Sequence, residues 1–241
     1  MATIVAPVRP AWTADRIFFG SIAVALGLAT FIGFAPTYYL HDYFARPAVP
    51  PILHVHGLVF TAWVLTYIGQ TALIGAGQIR LHRTVGGFAV VLALVVFLLG
   101  VVVAIERGRN GTPPPGRDPA AFLIFPFVSI GMFAWLFSLA LLRRNMAQHH
   151  KRLMLLATLS LCVTPMARLS RMLHWPVIPP VGGMLIANLF LIALVAFDLR
   201  RRGRLHPATM LGGGLFLASE PLRVLVSQSA AWQHFAHMLI G

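Results

Sequence analysis

Seven stretches of mostly apolar residues run through this chain. At about 1.5 Å of rise per residue, the roughly 20 residues of each are enough to cross about 30 Å of hydrocarbon as a helix. They lie at approximately 17–37, 52–76, 84–105, 119–142, 152–174, 180–200 and 208–238. The breaks between them are rich in helix-stopping residues: Arg46-Pro47 through Pro50-Pro51, the Arg107–Asp118 loop with Pro113-Pro114-Pro115, and Trp175-Pro176 through Pro179-Pro180. Only 10% of residues are charged, against about 25% in a soluble domain, so lipid rather than water is the solvent for most of the surface. The expected fold is all-α, a seven-helix transmembrane bundle forming one integral membrane domain over 1–241. Splitting the last run at Ser219-Glu220-Pro221 would give eight spans, but neither half then reaches about 20 residues.

The net charge of +13 would suggest nucleic acid in a soluble protein. Here the arginines sit in short blocks between apolar runs, which is the pattern of membrane topogenesis facing anionic lipid. One side collects Arg9, Arg16, Arg80, Arg83, Arg143, Arg144, Lys151, Arg152, Arg200, Arg201, Arg202 and Arg204, twelve in all, and the other only Arg46, Arg107, Arg109 and Arg117. Cytoplasmic loops hold the excess, so the N-terminus is expected in the cytoplasm and the C-terminus in the periplasm of a bacterial inner membrane. Met1 to Trp12 leads into the first run without a clear cleavage site, which reads as a retained helix. The single cysteine, Cys162, leaves no intrachain disulfide and no thiolate metal site. A metal would need histidine or carboxylate.

On that topology His41, His54, His56, His174, His234 and His237 fall near the outer face, and His82, His149, His150 and His206 near the inner one. His234 and His237 are three apart and share a helix face, whereas His54 and His56, two apart, point about 200° from one another. Neutral imidazole ligates metals and haem iron alike. A metal needs three or four ligands at about 2 Å, which His54 or His56, His174, His234 and His237 could supply. A haem needs two facing each other from neighbouring helices, and His82 with either His149 or His150 forms a candidate pair on the inner side. Each of these histidines also fits the plainer role of an interfacial side chain with one wet nitrogen.

Arg168, Arg171 and His174 recur every three residues, making one polar stripe that must face protein or water. Glu220 is the deepest acid, with Arg223 one turn later. The structural expectation is that Glu220 pairs with Arg223, or with Arg168 or Arg171 across helices; the functional one is a proton relay, or an anion site holding a quinone or haem propionates. Pro165 and Pro221 are expected to kink their spans. Gln70, Gln78, Gln228 and Gln233 are interhelical hydrogen-bonding candidates. Gly69, Gly75, Gly77 and Gly212-Gly213-Gly214 read as packing positions, and no Walker loop, dinucleotide fingerprint or nucleophile elbow is present.

Gln78-Ile-Arg-Leu-His82-Arg83 is echoed by Ala147-Gln148-His149-His150-Lys151-Arg152, which suggests two similar helical hairpins. The run His54-Val-His56-Gly57-Leu-Val-Phe-Thr61-Ala-Trp63, with Gln70, Leu81-His82-Arg83-Thr-Val-Gly86 and His150-Lys-Arg-Leu-Met, resembles a group of uncharacterised bacterial multipass membrane proteins. That resemblance covers the second to fifth spans and implies no activity. The helix-end histidines are also loosely similar to those of bis-histidine membrane cytochromes, whose ligands lie deeper in their helices. Two function classes follow. One is a redox or electron-transfer protein holding haem b, or zinc or copper, at the outer histidines beside the arginine stripe, working with a quinone or a redox protein. The other is a non-catalytic small transporter or accessory subunit with interfacial histidines. A histidine-bound zinc hydrolase is a third possibility, built on His234 and His237. The lipid bilayer is the partner common to all three, and oligomeric state is left open.

Overall fold

The computed structural model describes residues 14–45, 48–110, 118–175, 177 and 179–241. Arg9, Arg46, Arg117, the Pro113-Pro114-Pro115 run and Pro176, together with the Met1–Trp12 leader, lie outside the described residues. The elements are α1 (Ala14–Phe34) with a short 3-10 turn (Ala35–Thr37), α2 (Pro51–Gly75), α3 (Ile79–Arg109), α4 (Pro119–Leu142), α5 (Ala147–Met172), α6 (Pro179–Arg202), α7 (Pro207–Ser227) and α8 (Ala230–Ile240). Seven of these helices are long and apolar enough to cross a bilayer. The protein is a multi-pass helical membrane protein.

Proline and polar caps set many of the boundaries. Pro51, Pro119 and Pro207 occupy the first helical position, where a missing N–H costs nothing. Asp118 caps α4 by accepting from Ala121 N at 2.8 Å. The interior prolines Pro126, Pro165 and Pro221 remain within continuous helices.

Helix α5 is the hub: 67% of its most apolar window lies inside the bundle, against 22–44% for the others. It packs against α1, α4, α6 and α7, while α2 and α3 form an outer hairpin on α1 and α4. Lipid is as apolar as leucine, so this packing relies on close approach rather than on escape from water. Gly33 supplies one such approach, since a Cβ there would lie 2.7 Å from the Pro165 carbonyl carbon on α5. Gly183 supplies another, where a Cβ would meet Val163 O at 2.6 Å and Ala167 N at 2.7 Å.

The last apolar run departs from expectation. It is a spanning α7 followed by a separate α8, and the chain turns at Gln228-Ser229 rather than at Ser219-Glu220-Pro221. Ser229 caps the new helix by accepting from Trp232 N at 3.3 Å. The turn lets α8 fold back on α3 and α4, where Trp232 Nε1 donates to Ala120 O at 2.9 Å and Arg109 Nε donates to Leu239 O at 3.1 Å. At 11 residues α8 is too short to span.

The end carrying the N-termini of α3, α5 and α7 is termed the basic end. It is tied by a buried network. Arg152, 1% exposed, meets Asp198, 0% exposed, in an ion pair through Nη2 and donates to it from Nε at 3.0 Å. Arg152 Nη1 also donates to Gln148 Oε1 at 2.7 Å. Asp198 further accepts from His206 N at 3.1 Å and Thr209 Oγ1 at 2.6 Å. Lys151 pairs with Asp15 beside it, which fastens α1 to α5. Burial, reinforced by Arg152, His149 and Arg202 and opposed by Asp198, pushes the His206 imidazole down to about 4. The ring is therefore neutral, and its Nδ1 caps α7 by accepting from Ala208 N at 3.1 Å.

Candidate functional site

A cavity of about 910 Å³ opens at the other end of the bundle, here the cavity end. From its rim at Pro50 and Pro119 it descends past Met172 to Leu161, about 16 Å by the helical rise. Its walls are α2, α3, α4 and α5, with the end of α1 and the turn after it, the start of α6 and Arg223 of α7, and they are largely apolar, as at Phe34, Phe60, Val96 and Phe125. Set into them are Arg107, Arg168, Arg171 and Arg223 with His56 and His174. No carboxylate lines the cavity among the described residues.

The two deep arginines are held by neutral groups. Arg168 Nη1 donates to Thr37 Oγ1 at 2.9 Å, its guanidinium lies 5.1 Å from the Phe34 ring centre, and its buried Nε has no acceptor. Arg223, 1% exposed, donates to Ser129 Oγ at 3.2 Å, Ser219 Oγ at 3.1 Å and Met132 Sδ at 3.6 Å, and its Nε is likewise unpartnered. Among the described residues the ion pairs are His41–Asp42, Lys151–Asp15 and Arg152–Asp198, so neither arginine forms one, and Glu220 reaches Arg223 only electrostatically, without contact. A guanidinium buried without a counter-charge is costly, and an anion entering the cavity would supply one.

The expected pairing of Glu220 with an arginine is corrected accordingly. Glu220 turns to α6, where Asn188 Nδ2 donates to its Oε2 at 3.1 Å. Its Oε1 is buried without a partner, and so is Asn188 Oδ1.

Arg168, Arg171 and His174 all line the cavity. His174 ends α5 in a left-handed conformation, φ 51°. Trp175 N bonds Ser170 O at 3.2 Å and His174 N bonds Arg171 O at 3.0 Å, which is the Schellman pattern whose central position normally holds glycine. The fold would be served better there by glycine, and a histidine kept at a strained position points to a task for its side chain. His56 is half-buried, stacks over Phe60 at 6.4 Å and also lines the cavity. Tyr38 closes the rim by donating to His54 O at 3.1 Å, and burial with the adjacent Tyr39 pushes its phenol up, so it stays a neutral donor.

The outer histidines do not converge. His54 is exposed and tilted on Tyr38, and His234 and His237 lie exposed on α8. Among the described residues no group of three or more His, Cys, Asp or Glu side chains could hold a metal ion. The fold-back of α8 is the physical reason, because it removes His234 and His237 from a continuous spanning helix. At the basic end, by contrast, His82 and His150 come together, with ring centres 6.4 Å apart and planes at 85°. His150 Nδ1 bonds Ala140 O at 2.9 Å. With its amide oriented to satisfy its neighbours, Gln70 donates to His82 Nδ1 and, at 3.1 Å, to His82 O, and accepts from Gly86 N at 3.0 Å.

The chain matches no family model, no curated protein and no solved structure. Its site is therefore read from its own residues.

Proposed function

We propose that this protein is an integral membrane binding protein for an amphipathic anion, held in the cavity with its charged head on Arg168 and Arg223 and its apolar body along α2 to α5. The observation that carries this reading is the pair of buried guanidiniums that form no ion pair, in a cavity that no carboxylate lines among the described residues. The volume falls within the roughly 300–1,000 Å³ of ligand sites, which are likewise mostly apolar with a few placed polar groups. By the excess of Lys and Arg, the basic end faces the cytoplasm of a bacterial inner membrane and the cavity opens towards the periplasm.

Haem b is one group of this chemistry. Its propionates would sit on the arginines, and His56 or His174 would reach its iron; the bound haem would supply one-electron transfer with a quinone or a redox protein. The test uses a dansyl-tagged alkyl sulfonate and, separately, hemin, titrated into protein in phosphatidylcholine nanodiscs. Arg168→Gln is expected to weaken sulfonate binding by roughly tenfold or more, since a charged hydrogen bond contributes about 1.5–3 kcal/mol. An unchanged affinity contradicts the reading. A Soret band that saturates with hemin and weakens in His56→Ala would assign the ligand as haem.

One observation favours a second reading. Two imidazoles sharing one ion at about 2.0–2.1 Å have ring centres roughly 6 Å apart, close to the 6.4 Å between His82 and His150. Such a pair would hold a haem iron or a copper or zinc ion at the basic end, once Gln70 turns its amide oxygen to His82 Nδ1 and leaves Nε2 free. Metal or haem lost in His82→Ala but kept in His56→Ala would favour this site over the cavity.

A further inference from the structure

We infer that Glu220 carries a proton in this state and that anion binding in the cavity is coupled to that proton; the coupling rests on the binding reading above. Two acceptors in this acid–amide pair are orphaned. Glu220 Oε1 and Asn188 Oδ1 are both buried without a hydrogen bond, although their other oxygen and nitrogen are joined at 3.1 Å. Two acceptor oxygens on one acid–amide pair need a single hydrogen to satisfy both. A neutral carboxylic acid provides it, with Asn188 N–H donating to one acid oxygen while the acid O–H donates back to the amide oxygen. An ionised Glu220 would leave both oxygens unsatisfied in a low-dielectric bundle.

The consequence concerns Arg223, one turn away on α7. Among the described residues Arg223 is the charged group that acts on Glu220, and Asn188 on α6 is uncharged. A neutral Glu220 leaves the Arg223 charge open to the cavity it lines. An ionised Glu220 supplies a competing internal counter-charge at the same guanidinium. An anion and the Glu220 carboxylate therefore exclude one another electrostatically, and each anion bound favours uptake of one proton on Glu220. Where the empty site holds an ionised Glu220, the proton taken up offsets the anion's charge and loading leaves the net charge unchanged; where Glu220 is already protonated, the anion neutralises Arg223 and no further proton is taken up.

The test is sulfonate binding in nanodiscs from about pH 5 to about pH 9, a range over which the sulfonate stays ionised. Wild-type affinity is expected to fall as pH rises through the Glu220 titration, by up to about tenfold per pH unit for one coupled proton. Glu220→Gln keeps the reciprocal bonds with Asn188 and is expected to bind independently of pH, at the low-pH affinity of wild type. A flat wild-type profile, or a slope that survives in Glu220→Gln, overturns the proposal. A second readout needs no ligand: the infrared stretch of a protonated carboxyl in wild type is expected to vanish in Glu220→Gln, and an unchanged band overturns the protonation. Absence of sulfonate binding at every pH would sink the cavity reading and the coupling with it, while the infrared band still decides whether Glu220 holds a proton.

Discussion

Replacing Asp198 with Asn strands a cation at the basic end, and the cost follows from the bonds it breaks. Asp198 is fully buried and receives hydrogen bonds from Arg152, His206 N and Thr209 Oγ1. Asn keeps the volume and one acceptor oxygen but leaves the Arg152 guanidinium without its counter-charge. Breaking a buried pair by removing one partner costs about 3–5 kcal/mol. For a chain of this size that corresponds to a loss of roughly 6–20 °C in Tm, at about 2–4 °C per kcal/mol. Cys162 is the only cysteine and is fully buried, so a thiol-reactive fluorophore reports unfolding without further labelling. Adding Arg152→Met removes the stranded charge and leaves the Asn oxygen for His206 and Thr209, so the double variant is expected to recover at least half of the loss. An Asp198→Asn variant within about 1 kcal/mol of wild type, or a double variant whose losses simply add, would refute the reasoning.

His206 has its imidazole lowered to about 4, below the unfolded value of about 6.5, so the unfolded chain binds more protons between those values. Stability is full above about pH 6.5 and falls as pH drops towards 4, by up to about 3 kcal/mol, and His206→Asn, which keeps a capping acceptor, should flatten that part of the melting profile. Gly33→Ala pushes a Cβ into the Pro165 carbonyl and is expected to cost at least about 1–3 kcal/mol in the same thermal assay. His174→Gly relieves the left-handed strain and is expected to raise stability slightly, by up to about 1 kcal/mol, while lowering sulfonate affinity. A variant that loses both would make His174 a structural residue.

Span positions were legible because bilayer thickness sets a length that an apolar run must meet, and α4 matches its expected bounds, 119–142. Helix α3 runs longer, to Ile79–Arg109 against 84–105, because backbone hydrogen bonding does not stop where the apolar run does and carries the helix on through the flanking Arg80, Arg83, Arg107 and Arg109. The α8 turn escaped because composition alone does not distinguish one long apolar run from a span and a returning helix; the Ser229-x-x-Trp232 cap was the available signal. Which end of the bundle each histidine occupies was likewise readable, but rotation about each helix axis was not, and rotation decides convergence. The spacing of Arg168, Arg171 and His174 fixed their common face without any partner helix. Asp198 was passed over because it sits against Arg200, Arg201 and Arg202, while its true partner Arg152 is 46 positions away. An acid at the end of an apolar run nevertheless asks for a buried partner, and that question could have been put to the sequence.

The most direct test of the account compares the dansyl-tagged alkyl sulfonate with the matching uncharged alcohol on wild-type protein in phosphatidylcholine nanodiscs, by equilibrium titration. Their apolar bodies are identical, so the difference isolates the charged head. Two guanidiniums that form no ion pair, in a cavity lined by no acid among the described residues, predict tighter binding of the sulfonate by at least about tenfold, or about 1.4 kcal/mol, reduced in Arg168→Gln. Equal affinities for sulfonate and alcohol would reduce the cavity to an apolar cleft and contradict the claim that it is built for an anion.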